Sequence, residues 1–151
     1  MLIRDKAEMS TCTFCGHHDT PDNIRPMLVA AIEKLIVENE ADTFYIGTHG
    51  NYDKMALSVL RETKKKYPQV NYYVLLAYLP EKKEEYPLYA DNETVFPDGL
   101  ENHPRRFAIS YRNKWMVEQS KYLIAYVKHN FGGAAKTLVL AKKRQLNIIE
   151  I

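Results

Sequence analysis

The sequence predicts a three-layer α/β domain whose mostly parallel sheet has five strands or slightly more. Three observations predict it: short apolar runs alternate with amphipathic stretches, one apolar run is uninterrupted, and 151 residues suit one domain of ordinary size. Strands of a parallel sheet are covered by helices on both faces, so they read as continuous apolar runs. We expect residues 1–151 to form a single domain.

The first strand and helix follow from a short apolar run and a helical period. Residues 10–15 form the run, which ends at Gly16. A helix is expected at about residues 24–40, because its apolar side chains recur at the offsets of one helix face. Asn23 is a candidate cap for this helix, and Pro26 falls in its first turn, where proline is tolerated.

The next three elements repeat the alternation. The second strand covers residues 43–46 and ends at Gly47. Asn51 opens a second helix with an apolar side and a run of lysines at its end, where cations complement the helix dipole, and Pro68 stops it. Residues 71–78 contain the uninterrupted apolar run and are expected to form the longest strand.

A long crossover is expected at about residues 80–104, which hold four of the seven prolines. A short edge strand is expected at 93–96. Loops of this length inside a compact domain are usually functional or mobile. The tyrosines of residues 86–89 could form either a lid that stacks on a base or an interface patch, and the sequence leaves both open.

The last third returns to the alternation. A third helix is expected at about residues 105–119, a strand at 122–127, a fourth helix at 132–144 and a final strand at 147–149. Right-handed crossovers bring all the strand-to-helix loops of such a sheet to one edge, where open α/β sheets bind ligands.

Glycines and histidines are concentrated in those loops. Such glycines either turn short loops or let a ligand approach bare backbone amides, and three glycine-marked turns on one edge favour a ligand pocket. Amides at a helix N-terminus also favour an anion. The candidate residues are Gly16 and His17 after the first strand, Gly47, His49 and Gly50 after the second, His129 and Asn130 after the fourth, and Gly132, Gly133 and Ala134 at the fourth helix.

Arg112 is the leading candidate side chain. The planar guanidinium of an arginine can donate two hydrogen bonds to phosphate oxygens, and from the third helix Arg112 could reach the Gly132-Gly133 turn. The alternative is a helix arginine that is simply exposed to solvent. Trp115 and Met116 are interpreted as core residues. These features predict a pocket for a phosphorylated small molecule. No G-x-G-x-x-G and no Walker lysine pair is present, which argues against a standard NAD site or P-loop.

Three segments resemble the SLOG superfamily of Rossmann-like proteins, nearest its YpsA-like branch. Residues 12–18 are similar to that branch's F-x-G-H-R turn. Residues 47–56 match a glycine turn followed by aspartate and alanine. Residues 112–137 resemble the wider superfamily's R-x-x-x-M-x-x-x-S-D-x-x-I-A followed by a Gly-Gly turn. The resemblance implies nucleotide or nucleotide-derivative binding, and it adds Asp53, Asn113 and Thr137 to the expected ligand contacts.

The resemblance also implies an alternative activity. The LOG enzymes cleave the N-glycosidic bond of nucleoside 5′-monophosphates with an arginine and the glutamate of P-G-G-x-G-T-x-x-E. Here Phe131 replaces the proline, and no acidic residue lies between 132 and 144. Glycosidic chemistry needs a carboxylate, so a binding or sensor module ranks first and the hydrolase or transferase second. Asp53 or Glu118 could substitute only if the fold brings one of them into the pocket.

Cys12 and Cys15 have the spacing of zinc ligands, but we interpret them as buried. Positions three apart on a strand point to opposite faces, and no second cysteine pair is present. A redox pair would open a helix rather than lie inside a strand. We therefore expect no metal and no bound cofactor.

Composition limits the partners. The formal net charge of +2 argues against polymeric nucleic acid, and no apolar run approaches a membrane span. No signal peptide is evident, and two cysteines fit a reducing compartment, so a cytoplasmic location is expected. A third option is an assembly module whose apolar helices form a homo-oligomer.

Overall fold

The computed structural model describes residues 10–77, 89 and 93–151, and it confirms the predicted α/β class. The strands are β1 (Thr11–Gly16), β2 (Thr43–Ile46), β3 (Asn71–Leu75), β4 (Thr94–Val95), β5 (Tyr122–Tyr126) and β6 (Asn147–Glu150). The helices are α1 (Arg25–Asn39), α2 (Gly50–Lys66), α3 (Ala108–Glu118) and α4 (Gly132–Lys143). Within the described residues the strands form one six-stranded sheet in which every pairing is parallel.

The strand order is β4-β3-β2-β1-β5-β6. The chain first builds outward from β1 through β2 and β3 to β4, then returns to the other side of β1 and continues through β5 to β6. Neighbouring β1 and β5 are in register over five residue pairs, from Cys12 opposite Tyr122 to Gly16 opposite Tyr126. The order reverses at this pair, so the loops that leave β1 and β5 diverge to opposite faces and open a crevice, as ligand sites in such sheets require.

Two apolar clusters cover the two faces of the sheet. One joins the sheet to α1 and α2, and the other joins it to α3 and α4. Cys12 lies in the first cluster and Cys15 in the second, which confirms that these cysteines are buried on opposite faces. Burial raises the pKa of both thiols, so they are neutral apolar side chains here.

Three predictions about element ends were wrong. Asn23 does not cap α1: it lies in a 3-10 turn, Asp22–Ile24, and no side chain caps the helix. The third strand ends at Leu75 and is shorter than β1, while residue 78 lies outside the described residues. The third helix is also shorter than expected, because a separate 3-10 turn, Arg105–Phe107, precedes α3.

The crossover is described only in part. The predicted edge strand is present as β4, and its neighbour Glu93 is buried, where it accepts hydrogen bonds from Arg61 Nε and Nη2 at 2.9 and 2.8 Å. Tyr72 also donates to this carboxylate. The predicted tyrosine lid falls mostly outside the described residues, and Tyr89 packs against the core.

No helix of the described part of the chain is long and apolar enough to cross a membrane.

Candidate functional site

A cavity of about 510 Å³ opens at the carboxyl ends of the strands. Its walls come from the loops after β1, β2 and β5 and from one side of α3. It therefore occupies the crevice where the strand order reverses, and its volume lies within the usual 300–1,000 Å³ range of small-molecule pockets. Eleven of the fourteen predicted site residues line it, whereas Gly47, Gly50 and Asn130 do not; those that line it are Gly16, His17, His49, Asp53, Arg112, Asn113, His129, Gly132, Gly133, Ala134 and Thr137.

The loop after β1 is fixed by a close contact with α2. A Cβ atom on Gly16 would lie 2.1 Å from Cγ of Tyr52, so only glycine leaves room for this ring. The buried Tyr52 hydroxyl in turn donates to the Ile124 carbonyl at 2.8 Å. Gly16 therefore lets α2 close against β1 and β5, in addition to lining the cavity.

The two glycines after β2 support the cavity without lining it. Gly50 has φ +86°, and a Cβ there would lie 2.3 Å from the Cα of His18. Asn51 N donates to the His18 carbonyl at 2.8 Å, which joins this loop to the loop after β1. Gly47 leaves space for two side chains, because a Cβ there would lie 2.8 Å from Asp53 Oδ2 and 3.2 Å from Arg112 Nη2.

Arg112 is buried, with only 2% of its surface exposed, so it is not a solvated helix arginine. It lies on the same face of α3 as the buried Ala108 and Met116, four residues away on either side. Its Nη1 donates to Thr48 Oγ1 at 2.8 Å and to the Leu75 carbonyl at 3.4 Å. These contacts hold the guanidinium at the cavity floor, between the loops that follow β2 and β3.

Asp53 brings a carboxylate to the same floor. Its Oδ2 accepts a hydrogen bond from the His49 amide at 2.9 Å in the first turn of α2. Burial raises the pKa of this carboxyl to about 6, although the Arg112 guanidinium and the His49 amide both act to lower it. Burial, and then the charge of Arg112, lower the pKa of the neighbouring His49. Asp53 therefore changes charge near neutral pH, as acid/base groups do.

The start of α4 presents open backbone. Gly132 has φ +88°, and a Cβ at Gly132 or Gly133 would meet no atom within 4 Å. No acidic residue lies in the first turn. The Thr137 hydroxyl does not point a free donor at the cavity, because it donates to the Gly133 carbonyl at 2.9 Å. Amides at this helix end are therefore accessible and lie in the positive field of the helix dipole.

Three aromatic rings stack along one wall. The rings of His17 and His129 lie 3.7 Å apart with planes 19° apart, and those of His129 and Phe131 lie 3.8 Å apart with planes 17° apart. His17 is only 8% exposed, and its Nε2 accepts a hydrogen bond from the Lys128 amide at 2.9 Å. Burial, and then His129, lower the pKa of His17, so its ring is neutral near pH 7 with the proton on Nδ1.

Glu118, Met116 and Trp115 differ in their positions relative to the cavity. Glu118 pairs with Arg144 at 3.1 Å on the surface, so of Asp53 and Glu118 only Asp53 lines the cavity; Asp19 lines it as well. Met116 is buried in the core as expected and also lines the cavity, while Trp115 is half-buried against Tyr45. Within the described residues, no cluster of three His, Cys, Asp or Glu side chains is arranged to hold a metal ion.

Sequence reasoning missed the ring stack and the apolar wall. The sequence predicts neither Phe131, which stands where the resemblance has proline, nor Ile109 as a site residue, yet both line the cavity. One pattern in the sequence does indicate Phe131, because an aromatic residue directly before a Gly-Gly helix start lies beside open amides. Ile109 carried no such signal, since it is one apolar residue among several on α3.

No known protein-family model matches this chain, and no curated protein resembles it significantly in sequence. Function is therefore inferred from the geometry of the cavity.

Proposed function

We propose that the chain binds a nucleotide or nucleotide derivative in this cavity, as a binding or sensor module. The observation that carries the proposal is the cavity itself, which combines a buried guanidinium, Arg112, with the open helix start at Gly132 and Gly133. These groups come from segments far apart in the chain. Both are donors that favour anionic oxygens, and a cavity of about 510 Å³ suits a nucleotide-sized ligand.

The resemblance to the SLOG superfamily supports the same proposal. Its three segments, residues 12–18, 47–56 and 112–137, contribute the loops after β1 and β2, the floor of the cavity and the start of α4. Membership of that superfamily remains part of the proposal.

Gly133 offers the cleanest test, because it is open and carries no packing role. Gly133→Asp would place a carboxylate at the helix start, where an acid stabilises the helix but repels a phosphate. At about 8 Å and an effective dielectric of about 20, the repulsion is about 2 kcal/mol, or roughly 30-fold in affinity. Gly133→Asn is the matched control of the same shape without the charge.

The measurement is calorimetric titration of a panel of nucleoside monophosphates, after a thermal-shift screen finds a binder. We expect Gly133→Asp to weaken binding about 30-fold and Gly133→Asn to weaken it far less. Arg112→Ala should weaken binding by about 10–100-fold, the effect of one charge-assisted hydrogen bond. Equal affinities for the wild-type protein and both Gly133 variants would refute an anion at this helix start.

One observation favours the second candidate function, a hydrolase or transferase that acts on the N-glycosidic bond of a nucleoside 5′-monophosphate. Asp53 supplies a carboxylate that lines the cavity beside Arg112, and its pKa of about 6 suits proton transfer near neutral pH. In hydrolysis, water adds to C1′ of the sugar and the carboxylate accepts a proton from that water. The base departs with the bonding electrons and takes up the proton, which restores the carboxylate.

Chromatography separates the two candidates. A hydrolase releases free base from nucleoside monophosphates, and Asp53→Asn abolishes the release while the ligand still binds. A binding module releases no base with either protein. We rank binding first because no acidic residue lies between Gly132 and Arg144, where the LOG enzymes have their glutamate.

Three expectations about the whole protein stay predictions. We propose a cytoplasmic protein whose partner is a small phosphorylated molecule rather than polymeric nucleic acid. Homo-oligomerisation is the remaining proposal, and light scattering of the purified protein measures it.

A further inference from the structure

We infer that Phe131 is an aromatic platform on which the base of the bound nucleotide stacks. The base then becomes the fourth ring of a column formed by His17, His129 and Phe131. The inference rests on the proposed function and specifies how that ligand's base is recognised. It is carried by the ring geometry, by the exposure of Phe131 and by its position one residue before Gly132.

The column has a fixed inner end and an open outer end. His17 is almost buried and is held by the Lys128 amide, and His129 stacks on it at 3.7 Å. The His129 ring is held in turn, because its Nδ1 lies 3.0 Å from the Phe131 carbonyl oxygen. Phe131 completes the column, and 67% of its surface is exposed. One face of this ring is therefore already occupied by His129, while much of the ring remains in solvent.

The position of Phe131 indicates which kind of molecule covers it. Single exposed apolar side chains are common and need no partner. This one, however, lines the cavity and directly precedes the open amides of the helix start. An occupant that uses both features has an aromatic ring close to an anionic group. A nucleoside monophosphate has both, whereas a sugar phosphate lacks the ring and a purely apolar partner lacks the anion.

Stacking recognises a base by its face rather than by its hydrogen-bonding edge. Every base offers such a face, so a platform of this kind tolerates changes of base and favours the larger purine surface. We therefore expect the site to bind purine and pyrimidine monophosphates, with purines tighter. We also expect the base to add at least about tenfold to the affinity of the sugar phosphate alone, on the scale of one base stacked on an aromatic ring.

The experiment compares AMP with ribose 5-phosphate by calorimetric titration of four proteins. Phe131→Leu removes the ring and keeps an apolar side chain, and Phe131→Trp keeps an aromatic face. Phe107→Leu is the matched control, since Phe107 is also exposed but does not line the cavity. Phe131 is exposed, so these substitutions leave the core intact, and a melting curve for each variant verifies it.

We expect the wild-type protein, Phe131→Trp and Phe107→Leu to bind AMP at least tenfold more tightly than ribose 5-phosphate. Phe131→Leu should weaken AMP binding about tenfold and leave ribose 5-phosphate unchanged, so that the two ligands become nearly equal. The inference is overturned if Phe131→Leu affects AMP less than twofold, or affects both ligands equally. If the wild-type protein binds neither AMP nor ribose 5-phosphate, the proposed function fails and this inference fails with it.

Discussion

Asp53→Asn tests whether the negative charge of Asp53 at the cavity floor lowers the stability of the folded protein. Burial raises the pKa of Asp53 from an ordinary value of 3.8 to about 6. The folded protein therefore holds this proton more tightly than the unfolded chain does, and the stability that the group contributes falls as pH rises from about 4 to about 7. A shift of about two units corresponds to about 3 kcal/mol, since one unit is about 1.4 kcal/mol.

Asparagine keeps the shape of the side chain and an oxygen for the His49 amide, but it cannot ionise. We expect Asp53→Asn to be more stable than the wild-type protein by about 3 kcal/mol at pH 8, and equally stable near pH 4. In a chain of this size that difference raises the melting temperature by roughly 6–12 °C at the higher pH. Denaturant unfolding followed by circular dichroism, from pH 4 to pH 8, measures the free energy of unfolding of both proteins.

The histidines of the cavity titrate in the opposite sense and must be separated. The pKa values of His17 and His49 are lowered by burial, so these groups make the folded state less stable as pH falls below about 6.5. Both proteins share this effect, and the difference between them isolates Asp53. A stability difference for Asp53→Asn that stays constant from pH 4 to pH 8 would refute the reasoning.

Two further predictions concern the frame of the cavity. Gly16→Ala should lower stability by about 1–3 kcal/mol, because its Cβ would overlap the buried Tyr52 ring, whereas Gly133→Ala, with no atom within 4 Å, should change the melting temperature little. Arg61→Ala should cost about 1–3 kcal/mol by leaving the buried Glu93 carboxylate without its two charge-assisted hydrogen bonds. Combining Arg61→Ala with Glu93→Ala should destabilise the protein by less than the sum of the single changes, and full additivity in denaturant unfolding would contradict the pairing.

The alternation of strands and helices was predictable because it depends on local periodicity. Apolar runs and helical spacing indicated the six strands and four α-helices of the described chain but not its 3-10 turns, and glycines marked the ends of β1 and β2. The apolar pattern alone does not fix where a strand ends, and β3 shows the physical reason. Leu76 and Ala77 are buried beyond the end of the strand, and burial extends an apolar run without extending the ladder.

The floor of the cavity could be predicted only in part. Ala108, Arg112 and Met116 recur every four residues, and this period puts Arg112 on the buried face of α3 together with two core residues. The sequence predicts a core position for Trp115 and Met116 but leaves the burial of Arg112 open. Nothing local shows that a carboxylate from α2 lies beside this guanidinium, because the contact depends on the order of the strands.

Asp53 also bears on where a phosphate binds. Above pH 6 its charge offsets that of Arg112, so the floor attracts a dianion less than the guanidinium alone would. At the start of α4, Gly132 and Gly133 are exposed, the first turn has no acidic residue, and a Cβ added at either glycine would meet no atom within 4 Å. The phosphate is therefore expected at the glycines. The Asp53–Arg112 floor then faces the uncharged part of the ligand, and a carboxylate is a good acceptor for sugar hydroxyls.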